Sequence, residues 1–146
     1  MHRARQVIQP ALLSALNVLK VGDGWKLSAP LRYRSGVLGA QFEVPAGFTT
    51  DLASVPRLPL AFWLAGDTAH EAAVIHDWLY QVHLCSRAQA DAIFDEAMQI
   101  TGVPSWRRWL MWSAVRAGGH WAWYIGPRRY SDLKNHLVAD RRATER

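Results

Sequence analysis

Two hydrophobic rhythms divide the chain. Between about Val18 and Val44, apolar and polar residues alternate in short stretches broken by turn formers at Gly22-Asp23-Gly24, Ala29-Pro30, Ser35-Gly36 and Pro45-Ala46-Gly47. A period of two sends one set of side chains to a core and the other to water. Trp25-Lys26-Leu27, Leu31-Arg32-Tyr33 and Gln41-Phe42-Glu43-Val44 are therefore the expected strands of one small antiparallel sheet. From Thr68 the rhythm turns helical. Thr68 with Glu71, and Ser86 with Gln89, have capping-box spacing, which predicts one helix to about Leu84 and a second to about Thr101, where Gly102 and Pro104 stop it. A third helix is expected over roughly Pro104 to Ile125, with Gly118-Gly119 as a kink or break. Between sheet and helices lies a loop, about Phe48 to Thr68, whose order T-T-D-L-A-S-V-P-R-L-P mixes short polar side chains with stiff prolines.

These elements make an α+β fold, a small N-terminal antiparallel sheet packed on a C-terminal three-helix unit that contains a helical hairpin. The expected layout is one domain over residues 1–127, with residues 1–20 as a lead-in segment and residues 128–146 as a basic, solvated tail. Arg3 and Arg5 ahead of Val7 to Leu19 imitate a signal peptide. Gln9, Pro10, Ser14 and Asn17 interrupt that run and no small-x-small cleavage site follows, so it reads as part of the fold. No apolar run reaches the length of a transmembrane helix.

Composition narrows the partners without naming one. At 146 residues, half of them apolar, the chain can close a core unaided. A formal charge of +5 and a pI near 9.9 admit anionic partners, though no specific nucleic-acid motif is present. The one cysteine, Cys85, excludes an intramolecular disulfide and a multi-cysteine zinc site, and reads as structural before nucleophilic. The third helix holds Trp106, Trp109, Trp112, Trp121 and Trp123. Trp106, Trp109, Trp112 and Val115 recur at spacings of three, which predicts one broad buried stripe flanked by Arg107, Arg108 and Arg116. The alternative is a membrane-surface element.

The densest reactive cluster is H-D-W-L-Y, residues 76 to 80. On a helix Tyr80 lies about 40° and Asp77 about 100° around from His76, so the three share one arc. A tight hairpin at about Leu84 to Ser86 would set Asp91 or Asp95 of the next helix against His76 and Tyr80. A histidine beside carboxylates is what general-base chemistry needs, one carboxylate orienting the ring while another holds a divalent cation. The same residues also suit a buried network that locks the hairpin. His70-Glu71 and His76 do not make H-E-x-x-H, because the second histidine falls six residues after the first.

Put together, the motifs resemble a phage and prophage family, the domain of unknown function numbered 1353. The likeness rests on V-P-A-G-F-T-T-D-L-A-S-V-P-R (Val44 to Arg57), A-A-V-I-H-D-W-L-Y (Ala72 to Tyr80), S-R-A-Q-A-D-A-I-F-D-E-A-M (Ser86 to Met98) and G-V-P-S-W-R-R-W-L-M-W-S-A-V-R (Gly102 to Arg116). It covers roughly Trp25 to Ile125. It implies a phage or prophage origin and no particular reaction, and it directs attention to Asp51, Ser54, His76, Asp77, Tyr80 and Asp91. A second, local likeness is to phospholipase A2, where a helix with H-D-x-x-Y precedes one with A-D-x-x-F, as in His76 to Tyr80 and Ala90 to Phe94 here. That likeness implies His76 as water activator, Asp91 as its orienter, Tyr80 as support for Asp91 and Asp77 as calcium ligand. The glycine-rich calcium loop is missing, and the spacing between the helices is short.

Two readings follow. In the first, the chain is a hydrolase-like phage protein with His76, Asp91, Tyr80 and Ser54 as catalytic candidates. Asp77 and Asp51 are then candidate ligands for a divalent cation, calcium or zinc. It would act on a cell-envelope component during host penetration or lysis. In the second, it is a non-enzymatic virion or tail-associated protein that binds other phage proteins, with the His/Asp cluster as a buried structural network. Either way, synthesis in the host cytoplasm is expected, with incorporation into the virion as a later step.

Overall fold

The computed structural model describes residues 8–50 and 69–125. Six strands precede three helices: β1 (Ala11–Leu12), β2 (Val18–Val21), β3 (Gly24–Leu27), β4 (Leu31–Ser35), β5 (Ala40–Val44), β6 (Thr49–Thr50), α1 (His70–Val82), α2 (Arg87–Ile100) and α3 (Ser105–Ile125). The architecture is α+β, as the two rhythms predict. The single sheet is not borne out, because the strands form two antiparallel sheets of three, ordered β1-β4-β5 and β2-β3-β6. Their outer members β1 and β6 have two residues each, too few for any alternation to show in the sequence.

Strand β4 carries the alternation most plainly. Leu31, Tyr33 and Ser35 are buried while Arg32 and Arg34 face solvent, and the antiparallel register sets Leu31 opposite Val44 and Tyr33 opposite Phe42. Phe42 then stacks on Trp78 of α1 at 5.5 Å between centroids, which joins sheet to helices. The helical side of the core is Val74, Ile75, Trp78 and Leu79 of α1 with Ile93, Phe94, Ala97 and Met98 of α2.

The hairpin forms where expected, with differences at the ends. At the head of α2 the Ser86 hydroxyl accepts from the Gln89 amide (3.2 Å) and the Gln89 side chain accepts from the Ser86 amide (3.0 Å), a complete capping box. The N-cap of α1 is Ala69, with no side-chain cap bond, and Thr68 of the expected capping box lies outside the described residues. His83 ends α1 in the left-handed conformation, φ 53°, its amide bonded to the Leu79 carbonyl at 2.9 Å. The break expected at Gly118-Gly119 does not occur, and α3 runs through both. A Cβ on Gly119 would stand 2.6 Å from the Tyr80 hydroxyl, so this glycine serves close approach to α1.

The buried stripe of α3 is also not the expected one. Met111 and Trp123 are buried and Val115 is half-buried, whereas Trp106, Trp109 and Trp112 are exposed. Steps of four, Met111-Val115-Gly119-Trp123, keep to one face of a helix, while steps of three drift about 60° backward each time and leave it.

Candidate functional site

The site is built around Asp91, at the start of the second turn of α2 and fully buried. Three side chains from two other helices converge on its carboxylate. His76 of α1 places Nε2 2.9 Å from Oδ1, Tyr80 one turn later donates its hydroxyl to the same oxygen at 2.5 Å, and Arg116 of α3 donates from Nη1 to Oδ2 at 2.9 Å. The four-residue step from His76 to Tyr80 sets both side chains on the face of α1 that meets α2. Arg87 in turn donates to the Arg116 carbonyl at 3.3 Å, tying α2 to that turn of α3.

Rings enclose the cluster. His76 packs on Tyr80 (centroids 4.2 Å apart) and Phe94 (4.7 Å), and Trp123 meets the edge of Tyr80 at 5.0 Å while stacking on His83 at 3.8 Å. The His76 side chain keeps 13% of its surface open, against none for Asp91. Solvent therefore reaches the His76 ring, though less freely than it reaches Arg116, whose side chain is 36% exposed.

Burial alone pushes the Asp91 carboxyl up. The hydrogen bonds from His76, Tyr80 and Arg116 outweigh it and hold the group below the usual carboxylate range. Tyr80 is pushed upward by burial and by its bond to Asp91, so it stays a protonated donor. Against an ionised Asp91, Nε2 is the donor of the pair, and in the tautomer that donates from Nε2 the lone pair is on Nδ1. This arrangement can take a proton at Nδ1 and spread the resulting charge onto a fixed carboxylate.

Of the residues singled out from the sequence, His76, Tyr80 and Asp91 come together. Between the two carboxylates left open for the hairpin, it is Asp91 that meets His76. Asp95 stands 3.8 Å from Arg108 instead, with much of its side chain in water. Asp77 follows His76 on α1 and is half-buried. Asp51 and Ser54 lie outside the described residues. Among the described residues no group of three or more His, Cys, Asp and Glu side chains is placed to hold a metal ion. Cys85 is half-buried, and burial and then the nearby Asp91 charge push its thiol up to about 11, which fits the structural role.

Arg116 is the participant that sequence reasoning missed. It read as a flank of the tryptophan stripe, and its only local signal was its place at the end of the Gly102 to Arg116 motif. A second convergent acceptor was also missed. Glu96 of α2 accepts from the Tyr33 hydroxyl (2.9 Å), the Ser35 hydroxyl (2.9 Å) and the Val37 amide (3.1 Å), fastening the β4-β5 hairpin to the helices.

A family model described as "Protein of unknown function (DUF1353)" matches residues 25–115, well over half of the chain. The chain belongs to the DUF1353 family. The DUF1353 match takes in His76, Tyr80 and Asp91 and ends one residue before Arg116. No curated protein and no solved structure matches the chain.

Proposed function

We propose that this DUF1353 protein is a phage or prophage hydrolase in which His76 and Asp91 act as a general-base pair on a cell-envelope component. The carrying observation is the 2.9 Å bond from the partly open His76 ring to the fully buried, doubly supported Asp91. In this reading water attacks an acyl carbonyl and gives its proton to His76 Nδ1. Asp91 stabilises the imidazolium through Nε2–H, and the ring then returns the proton to the leaving oxygen. Tyr80 and Arg116 are positioning residues that hold Asp91 ionised and in line. The outline is that of the phospholipase A2 helix pair, which is an analogy of residues and not of fold. That analogy would also give Asp77 a divalent cation, calcium or zinc. The proton path itself runs through His76 and Asp91.

A second reading is supported by the saturation of Asp91, whose two oxygens receive three bonds from two neighbouring helices. In it the cluster is a structural clamp and the protein is a virion or tail-associated binding protein. His76→Gln separates the two, because the amide can still donate to Asp91 but is no base. Hydrolysis of p-nitrophenyl esters, mixed-micelle phospholipid and peptidoglycan is measured with and without calcium or zinc, alongside the melting temperature. The expected result is a rate lower by about 100-fold or more with the melting temperature within a few degrees of wild type. No hydrolysis by the wild type on any of these, or an equal rate in the variant, sinks the enzymatic reading.

A further inference from the structure

The outward side of α3 carries Trp106 (54% exposed), Trp109 (64%), Leu110 (38%), Trp121 (72%) and Tyr124 (64%). At about 100° per residue these five fall within an arc of about 120°, clear of the Met111-Val115-Gly119-Trp123 face that packs inward. Trp106 to Tyr124 spans about 27 Å along the axis. The stripe has two aromatic ends, Trp106 with Trp109 and Leu110, and Trp121 with Tyr124, joined across Ser113, Ala117 and the exposed His120 on the same arc, and exposure of so much aromatic surface on one face marks a contact surface. We infer that this stripe docks flat on an anionic phospholipid surface.

The placement of charge selects this occupant. The helix contains no Asp or Glu, and its arginines lie outside the aromatic arc: Arg107 borders one side, its guanidinium 5.2 Å from the Trp106 ring, while Arg108 and Arg116 lie toward the packed face, where Asp95 and Asp91 pair them. An aromatic face with a basic group at its edge is the pattern of a helix lying in a bilayer interface, where indole and phenol rings sit at headgroup depth. Residues 128–146, which follow, add six Lys and Arg against three Asp and Glu. A second copy would bring like charges together, both chains being +5. A single-stranded nucleic acid would call for cations set between the stacking rings, and none lies within the arc. No helix of the described residues is long and apolar enough to cross a membrane, so α3 lies on the surface it meets. The inference does not rest on the hydrolase reading.

Co-sedimentation and tryptophan emission with vesicles of phosphatidylglycerol and phosphatidylethanolamine, compared with phosphatidylcholine alone, test it on the full chain. The expected result is binding and a blue shift on the anionic vesicles, weakened by salt, and about tenfold or more weaker in Trp109→Gln/Trp121→Gln. Trp106→Gln/Tyr124→Gln, at the two ends of the stripe, gives an independent variant should the first lose helicity. His76→Gln binds as wild type, so a failed hydrolase assay leaves this result standing. Any of three outcomes overturns the inference: no vesicle binding, equal binding by both stripe variants, or a stripe-dependent dimer or oligonucleotide complex formed while vesicles stay unbound.

Discussion

Gly118 and Gly119 are neighbours of one type in one helix, and the structure assigns them opposite responses to the same added methyl group. On Gly118 a Cβ meets nothing within 4 Å. Alanine there gains the ordinary helix preference, about 1 kcal/mol of added stability. On Gly119 the Cβ meets Tyr80 at 2.6 Å (hydroxyl), 3.2 Å (Cε1) and 3.3 Å (Cζ). Tyr80 is buried and bonded to Asp91, so it has no free end to swing away. Either α3 moves outward or the Tyr80 bond to the carboxylate breaks. Overpacking costs about 1–3 kcal/mol and a lost bond to a charged group about 1.5–3 kcal/mol, so with either one, after the helix gain of about 1 kcal/mol, Gly119→Ala loses up to about 2 kcal/mol where Gly118→Ala gains. Denaturant titration of the two variants measures the difference. Removing the obstructing hydroxyl in Tyr80→Phe should return part of the Gly119→Ala loss, which a double-mutant cycle reads directly. If both glycines respond alike, the close approach of α3 to Tyr80 is not what holds Gly119.

Acid should unfold the protein partly through Asp91. Its folded pKa is depressed, so its contribution is fully present above the unfolded value of about 3.9 and is lost as pH falls through the lower folded value; Asp91→Asn should flatten stability against pH over that window in acid denaturation curves. Cys85, its thiol pushed up to about 11, should react with iodoacetamide at pH 8 about 100-fold more slowly than a free thiol, and at the ordinary rate once the chain is unfolded in denaturant. Glu96→Ala strands the buried Ser35 hydroxyl and frees Tyr33 and Val37, and should cost about 1–3 kcal/mol with faster hydrogen exchange across β4 and β5; unchanged exchange would remove Glu96 as the fastening.

The parts legible in the sequence were those whose causes are local. The Ser86 and Gln89 box, the β4 alternation and the His76-Tyr80 step each follow from residues within one turn or one strand. Asp91 was legible only as one of two carboxylates, because choosing it over Asp95 depends on how two helices rotate about each other. Arg116 and Glu96 reach partners 25 and 59–63 positions away, and no periodicity encodes such distances. The tryptophans misled because a burial rule was applied to residues equally suited to an interface. Gly119 read as a weak point because glycine is poor helix material, while its use here is the space it leaves for Tyr80.

Asp91 also shapes how the helical half assembles. Its carboxylate sits on α2, takes two bonds from α1 and one from α3, and has no access to water. A hairpin docked without α3 would leave Oδ2 without its cation, and α3 docked on an open hairpin would leave Oδ1 without His76 and Tyr80. Each two-helix intermediate therefore lacks bonds to the carboxylate that the three-helix state makes. The helices gain or lose order together, and detachment of α3 from the hairpin should coincide with global unfolding instead of preceding it.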